Sequence, residues 1–269
     1  MSKVSTITPC YKMGDYLEGF LKELENQTLF PDFEVVLDHN DPEDWEIELV
    51  NRYIQKYPDG VLKHIITKPV DPIGVSMNTC IKESSGEYLT IWNVDDLRTP
   101  ESLENQMKVL DENKNIDIVN ANFQIVGSFG SKSGRQIDHK IHDESEYKKS
   151  MILGPFFMFR KSICLKAGYF DEQLKSGADF DFAIRLAYNG DVMFSEGNGG
   201  YYLDEGKGAS TSGDLQPIEK TFVYVRYGIY DKIESEGCHV FMDKAMKYDV
   251  ENITSFGKKT NYNNYVNKE

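Results

Sequence analysis

Short apolar runs alternate with amphipathic stretches through the first part of the chain. Residues 4–8, 33–37, 62–67, 88–92 and 116–121 are apolar and rich in β-branched or aromatic side chains, which predicts five strands. Pro9 closes the first of them. Between the runs, Tyr16, Phe20 and Leu24 recur at helical spacing within 15–26, and 45–57, 73–83 and 103–113 read as further helices. Pro72 marks the start of the third. Strands separated by helices at this pace predict an α/β fold with a mainly parallel, doubly wound central sheet flanked by helices.

Past Ile125 the pattern changes. Residues 127–149 are rich in Gly, Ser, Lys, His and Asp with little periodicity, which predicts a long solvated loop. His139 and His142 lie inside it, flanked by Asp138 and Asp143, and read as solvated rather than as metal ligands. Order returns with Phe156-Phe157-Met158-Phe159, a helix over 161–167, and another that ends near Asn189-Gly190. Asp179 and Asp181 fall in the first turn of that second helix, where the dipole favours negative charge. Asp181 is spaced to pair with Arg185 at i+4. Ile218, Phe222, Val225, Ile229 and Ile233 step by three or four, which predicts one amphipathic helix packed on the core. The polar, Asn-rich end, 258–269, is expected to fray.

Charge and cysteine usage narrow the classes. A formal charge of −14 argues against a nucleic-acid surface, which needs a basic footprint. It also argues against docking on anionic lipid. The four cysteines, Cys10, Cys80, Cys164 and Cys238, offer no CxxC pair, so reduced thiols and a cytoplasmic setting are expected. No apolar run approaches the roughly 20 residues of a membrane helix, and no hydrophobic targeting region precedes the first strand pattern.

The stretch with the most chemistry is EYLTIWNVDDLRTP, residues 87–100. A buried strand that ends in adjacent carboxylates, Asp95 and Asp96, is costly, because each raises the other's pKa unless a cation or hydrogen-bond donors hold both ionised. A divalent cation relieves that repulsion, and hard oxygen ligands suit Mg²⁺ or Mn²⁺. Strand ends are also where open α/β sheets hold ligands. A plainer role for Asp96, capping the helix that opens at Pro100, fits the same residues.

Five segments in order resemble the family 2 glycosyltransferases, nucleotide-sugar-dependent enzymes with the Rossmann-like GT-A fold. VSTITPCYK resembles the first strand and nucleotide loop, and FEVVLDHND the second strand ending in an acid near the base. GVSMNTCIKESSGEYLTIWNVDD resembles the signature leading into the DXD-type metal site. PFFMFRKSICLKAGYFDEQL and GADFDFAIRLAYNG resemble the acceptor-side stretch and the helix bearing the catalytic acid. The resemblance implies a GT-A domain over 1–212 and a C-terminal helical extension with a polar tail over 213–269. It implies that Thr8, Pro9 and Tyr11 line the nucleotide pocket, with Tyr11 stacking on the base, and that Asp38 hydrogen-bonds a uracil. Asn78 and Asp95 would also contact the nucleotide, and Asp95 and Asp96 would hold Mn²⁺ or Mg²⁺ on the diphosphate. Asp179 would be the general base of an inverting transfer from a UDP-linked sugar to a glycan or other hydroxyl acceptor.

Three positions depart from the family pattern. Asn93 stands where many members carry the first acid of the DXD, and Met77 where a basic residue is frequent. YYLDEGKGASTS lacks the histidine that often supplies a later metal ligand. Two other classes stay open on the residues alone. A sugar nucleotidyltransferase would carry a glycine-rich basic loop after the first strand, of which TPCYKMGDY is a poor version. A degenerate, non-catalytic GT-A domain that binds carbohydrate or protein would tolerate the three departures.

Overall fold

The computed structural model of the chain describes residues 2–139, 143–206, 213–255 and 258–261. Strands β1 (Val4–Cys10), β2 (Phe33–Asn40), β3 (Leu62–Thr67) and β4 (Tyr88–Ile91) pair in parallel in the order β3-β2-β1-β4. The first strand runs past its expected stop at Pro9. Beyond Ile7, β1 no longer pairs with β4, and Pro9 lies opposite Asp38 of β2 alone. A proline is tolerated there because its missing N–H breaks no ladder bond to β4.

The sheet continues through β5 (Leu97–Arg98), β6 (Ile118–Val126), β7 (Arg135–Ile137), β8 (Met158–Arg160) and β9 (Val192–Leu203). The short β8 sits antiparallel between β4 and β6, β9 runs parallel to β6, and β5 and β7 add antiparallel edges. Six of the nine strands therefore share one direction, as a mainly parallel sheet requires.

Helices α1 (Gly14–Glu23), α2 (Asp44–Lys56), α3 (Ile73–Glu83) and α4 (Ser102–Glu112) connect the strands where the periodicity places them. The strand pattern explains how both faces are covered. Phe33, Val35 and Leu37 of β2 join a buried cluster with Leu17, Leu49 and Leu103 of three helices. Val36 points the other way, into a cluster with Cys80, Ile81, Phe170 and Phe182. That alternation is the period of two of an extended chain, and covering both faces makes a strand read as an unbroken apolar run.

Later segments depart from the sequence reading. Residues 127–149 are not a free loop: β7 pairs with β6, Tyr147 of α5 (Glu144–Tyr147) is buried, and His139 stacks on Phe123 with ring centroids 5.5 Å apart. His142 lies outside the described residues. After α6 (Cys164–Ala167) and α7 (Ala178–Asn189), the single helix expected over 218–233 is two, α8 (Leu215–Arg226) and α9 (Tyr230–Ser235). Gly228 stands between them at φ +67°, a conformation that an L side chain resists and that ends a helix. Periodicity survives the break because Phe222, Ile229 and Ile233 still reach the core, which is continuous with Phe180 and Phe182 of α7. The boundary expected at 212/213 adjoins 207–212, which lie outside the described residues. A short helix, α10 (Met242–Ala245), leads into a hairpin of β10 (Asn252–Ser255) and β11 (Lys258–Asn261), where fraying was expected. The remainder of that tail, 262–269, lies outside the described residues. Among the described residues no helix is long and apolar enough to cross a membrane.

Candidate active site

A cleft of about 610 Å³ opens where β1 and β4 end. Its walls come from five places in the chain: Pro9 and Tyr11 after β1, Asn40 and Asp71 around β2 and β3, Asn93 and Asp95 after β4, Lys175 to Asp179 entering α7, and Tyr202 to Glu205 at the end of β9. A parallel sheet puts its strand ends on one edge, so residues distant in sequence converge there. Tyr11 is 41% exposed, with the Lys12 ammonium 5.1 Å from its ring centroid, and presents a flat surface on which a base can stack.

The paired acids divide at the turn after β4. Trp92 is fully buried against Phe20 and Phe33, and its indole N–H donates to Asp96 O at 3.0 Å, which holds the turn closed. Asp95 projects into the cleft. Asp96, expected to coordinate a metal, faces inward instead: its carboxylate accepts from Leu203 N–H (3.0 Å) and from the Asn93 amide (3.2 Å). It does not cap the following helix either, since α4 starts at Ser102 behind Glu101. Burial and the charge of Asp95 push the Asp96 carboxyl well above the usual range. Burial, with Glu205 adding to it, raises Asp95 as well. Asp95 is the member of the pair that lines the cleft.

Three other expected nucleotide contacts are buried away from the cleft. Asp38, expected to meet the base, accepts from Thr67 Oγ1 (2.6 Å), Asn40 Nδ2 (3.0 Å) and Ser76 Oγ and is fully buried. Asn40, Asp71 and Ser76 are polar groups that do line the cleft in this region; Asn40 Oδ1 also accepts from Asp71 N–H at 2.9 Å. Asn78 is spent on Phe170, exchanging hydrogen bonds of 3.0 and 2.9 Å with its backbone, and on Glu172 (3.0 Å). Thr8 is buried in β1, with its hydroxyl 2.9 Å from that of Thr6. An acidic or amide side chain at a strand end signals a site, but the chain alone does not say which of several neighbours turns outward.

Asp179 does reach the cleft. It lies in the first turn of α7, half-buried, and its Oδ1 accepts from Phe180 N–H at 2.8 Å. Burial, with the nearby Glu219 carboxylate, raises its pKa, and among the described residues no lysine or arginine pairs with it to pull it back. A carboxylate kept basic beside a cleft is suited to accept a proton. Asp181, two residues on, is turned into the core and is held by Arg185 as the spacing predicts.

The electrostatics of the cleft bear on what it can hold. Six carboxylates line it (Asp15, Asp71, Asp95, Asp179, Asp204 and Glu205) against two ammonium groups, Lys12 and Lys175. A diphosphate entering such a field is repelled, and a cation would offset that repulsion. Among the described residues no group of three or more His, Cys, Asp or Glu side chains forms a ready metal cage. Mg²⁺ and Mn²⁺ are commonly held by one or two carboxylates plus phosphate oxygens and water, so Asp95 fits that role together with a ligand's own phosphates. Sequence reasoning missed Asp204 and Glu205, because the end of β9 becomes part of the cleft only through its pairing beside β5 and β6.

Comparisons with known proteins agree with this architecture. The sequence family described as Glycosyl transferase family 2 matches residues 5–167, more than half of the chain. An uncharacterized glycosyltransferase of Methanocaldococcus jannaschii is 27% identical over 192 residues, covering 69% of this chain and 65% of that protein. Among solved structures, Staphylococcus aureus TarS in complex with UDP-GlcNAc superposes with a TM-score of 0.69 at 22% identity, over 84% of this chain and 66% of that one. A mannosyltransferase of Pyrobaculum calidifontis in complex with GDP-Man and Mn²⁺ gives a TM-score of 0.61 at 16% identity, over 92% and 65%. The fold is thus that of the GT-A enzymes. In each comparison the chain spans about two thirds of its relative's length.

Proposed function

The chain belongs to glycosyl transferase family 2 and is a glycosyltransferase, and from that premise we propose that it transfers a sugar from a UDP-linked donor to an acceptor hydroxyl with inversion. The observation that carries this reading is the convergence of Asp95 and Asp179 on one acidic cleft beside an exposed aromatic ring. Tyr11 stacks on the base, with Asn40 and Asp71 as its polar neighbours. Asp95 would hold Mn²⁺ or Mg²⁺, which would supply positive charge to offset that of a leaving diphosphate. Asp179 takes the proton of the attacking hydroxyl, and one base suffices for a single displacement. The UDP-GlcNAc held by TarS supports a UDP-linked donor, and the Mn²⁺ of the mannosyltransferase complex supports the cation. The acceptor is a glycan or another hydroxyl compound, the catalytic unit spans 1–212 with 213–269 as a helical extension, and the four free thiols fit work in the cytoplasm.

The test is donor hydrolysis across UDP- and GDP-sugars with Mn²⁺, Mg²⁺ or chelator, since water can stand in for an acceptor. Metal-dependent release of UDP from one donor, lost in Asp179→Asn, is the expected result. Release of GDP instead, or release indifferent to chelator, would overturn the donor or the metal assignment respectively.

A further inference from the structure

Glu219 is a buried acid that the transfer chemistry leaves without a task. It lies on α8, fully buried, and its carboxylate accepts from three consecutive backbone N–H groups: Lys175 (3.0 Å), Ser176 (2.7 Å) and Gly177 (2.7 Å). The Tyr248 hydroxyl donates a fourth hydrogen bond at 2.8 Å. Those peptide groups run directly into α7, whose N-cap residue, Gly177, has no side chain to cap it. Gly177 N–H is one of the partnerless first N–H groups of α7, and with those of Lys175 and Ser176 in the turn before it forms a cluster of backbone donors that can hold an anion. Here the site is filled by the chain's own carboxylate and is closed to donor phosphates. A Cβ on Gly177 would stand 3.1 Å from Glu219 Cβ, a contact tight enough that α8 would have to give by a few tenths of an ångström.

We propose that Glu219 is a positioning residue of the catalytic centre, clamping residues 175–177 from the C-terminal segment so that Asp179 is presented to the cleft in one orientation. The inference rests on the reading of Asp179 as the base. Lys175, Ser176 and Ala178 line the same cleft as Asp179, so slack in this turn displaces both the wall and the proton acceptor. Misplacing a reacting group by an ångström costs about 10²-fold in rate. The clamp also sets the electrostatic surroundings of the base. Glu219 faces it from α8, Lys175 belongs to the same turn, and Asp71, Asp95 and Asp204 share the cleft. Both Asp179 and Glu219 lie beyond residue 167, where the family match ends.

The experiment uses the full chain with Glu219→Gln, which keeps an acceptor oxygen and the side-chain shape while removing the charge. Three quantities are read: amide exchange at residues 175–177, the ¹³C titration of the Asp179 carboxyl (assigned by its absence in Asp179→Asn), and turnover of the nucleotide sugar that the hydrolysis panel selects. Exchange should accelerate about tenfold or more as the clamp loosens. The Asp179 midpoint should fall, because a neighbouring negative charge that raised it is gone. The kcat should drop about 10- to 100-fold with the donor KM little changed. Unchanged exchange and an unchanged Asp179 midpoint overturn the proposal whatever the turnover. Unchanged kcat in Glu219→Gln, where Asp179→Asn is inactive, overturns it as well. If Asp179→Asn keeps full turnover, the base assignment fails by itself, and exchange and titration still decide whether the clamp exists.

Discussion

Two turns of this molecule each carry a pair of acids, and each turn sends one acid to the cleft and the other to the interior. After β4 the outward member is Asp95 and the buried one Asp96; at the start of α7 they are Asp179 and Asp181. The buried members are held in opposite ways. Asp181 is met by Arg185 at 2.7 and 2.9 Å and by Arg226 and the Tyr227 hydroxyl at 2.8 Å each. Arg226 also bridges to Asp171 at 2.8 Å, so α7, α8 and the loop before α7 share one buried charge cluster. Burial pushes Asp181 up, but the two guanidinium groups outweigh it and its pKa is lowered. Among the described residues Asp96 is met only by a backbone N–H and an amide. The nearby Arg98 directs its donors to Ser102, Gln106, Thr90 and Ile91 O, and burial lowers its pKa to about 9. Depth alone therefore does not decide whether a buried acid stays charged; the direct contacts do.

The comparison can be broken or sharpened by substitution. The largest effect expected is on rate: Asp179→Asn should lower turnover about 10²–10⁴-fold while leaving the urea midpoint in place, measured by donor hydrolysis beside equilibrium unfolding. Next, Asp181→Asn should leave Arg185 and Arg226 without their shared anion and cost about 3–5 kcal/mol of stability. A shift in urea midpoint close to zero would mean that the cluster is not held as a unit. Asp95→Asn should weaken UDP binding in Mn²⁺ by at least about tenfold, and weaken it little in chelator, by calorimetric titration. Asp96→Asn should be the mildest, changing stability by within about 1 kcal/mol at neutral pH, because its acceptor role toward Leu203 N–H passes to the amide oxygen.

The two buried acids should also impose opposite pH slopes. The lowered pKa of Asp181 gives stability that is present above the unfolded carboxyl value of about 3.9 and is lost as pH falls below it toward the folded value. The raised pKa of Asp96 works in reverse, costing stability as pH climbs above about 3.9 through the folded value. Unfolding midpoints of Asp181→Asn and Asp96→Asn against the natural chain, taken across that range, should diverge in opposite directions. Parallel curves would remove the distinction between the two turns.

Much of the first half was legible because each local signal agreed with the next. Leu62–Thr67 and Ile73–Glu83 form where periodicity put them, and the run through Trp92 predicted both β4 and the acidic turn after it. Pro9 misled as a stop signal because a strand that has lost its neighbour on one side can absorb a proline. The stretch 127–149 misled because polar composition hides a hairpin partner for β6, and 218–233 because an apolar stripe continues across the kink at Gly228.

The amino-acid sequence by itself determined the alternation of strands and helices, the family signature, and the set of acids from which a site could be made. Tertiary structure alone decided which of them face the cleft. Asp95 and Asp179 face the cleft while Asp38, Asp96 and Asp181 are consumed by internal donors, and Glu219 reaches the turn before Asp179 only because α8 packs against α7. The physical reason is that side-chain type fixes what a residue can bond, whereas hydrogen-bond partners from remote strands and helices fix whether that capacity is already spent.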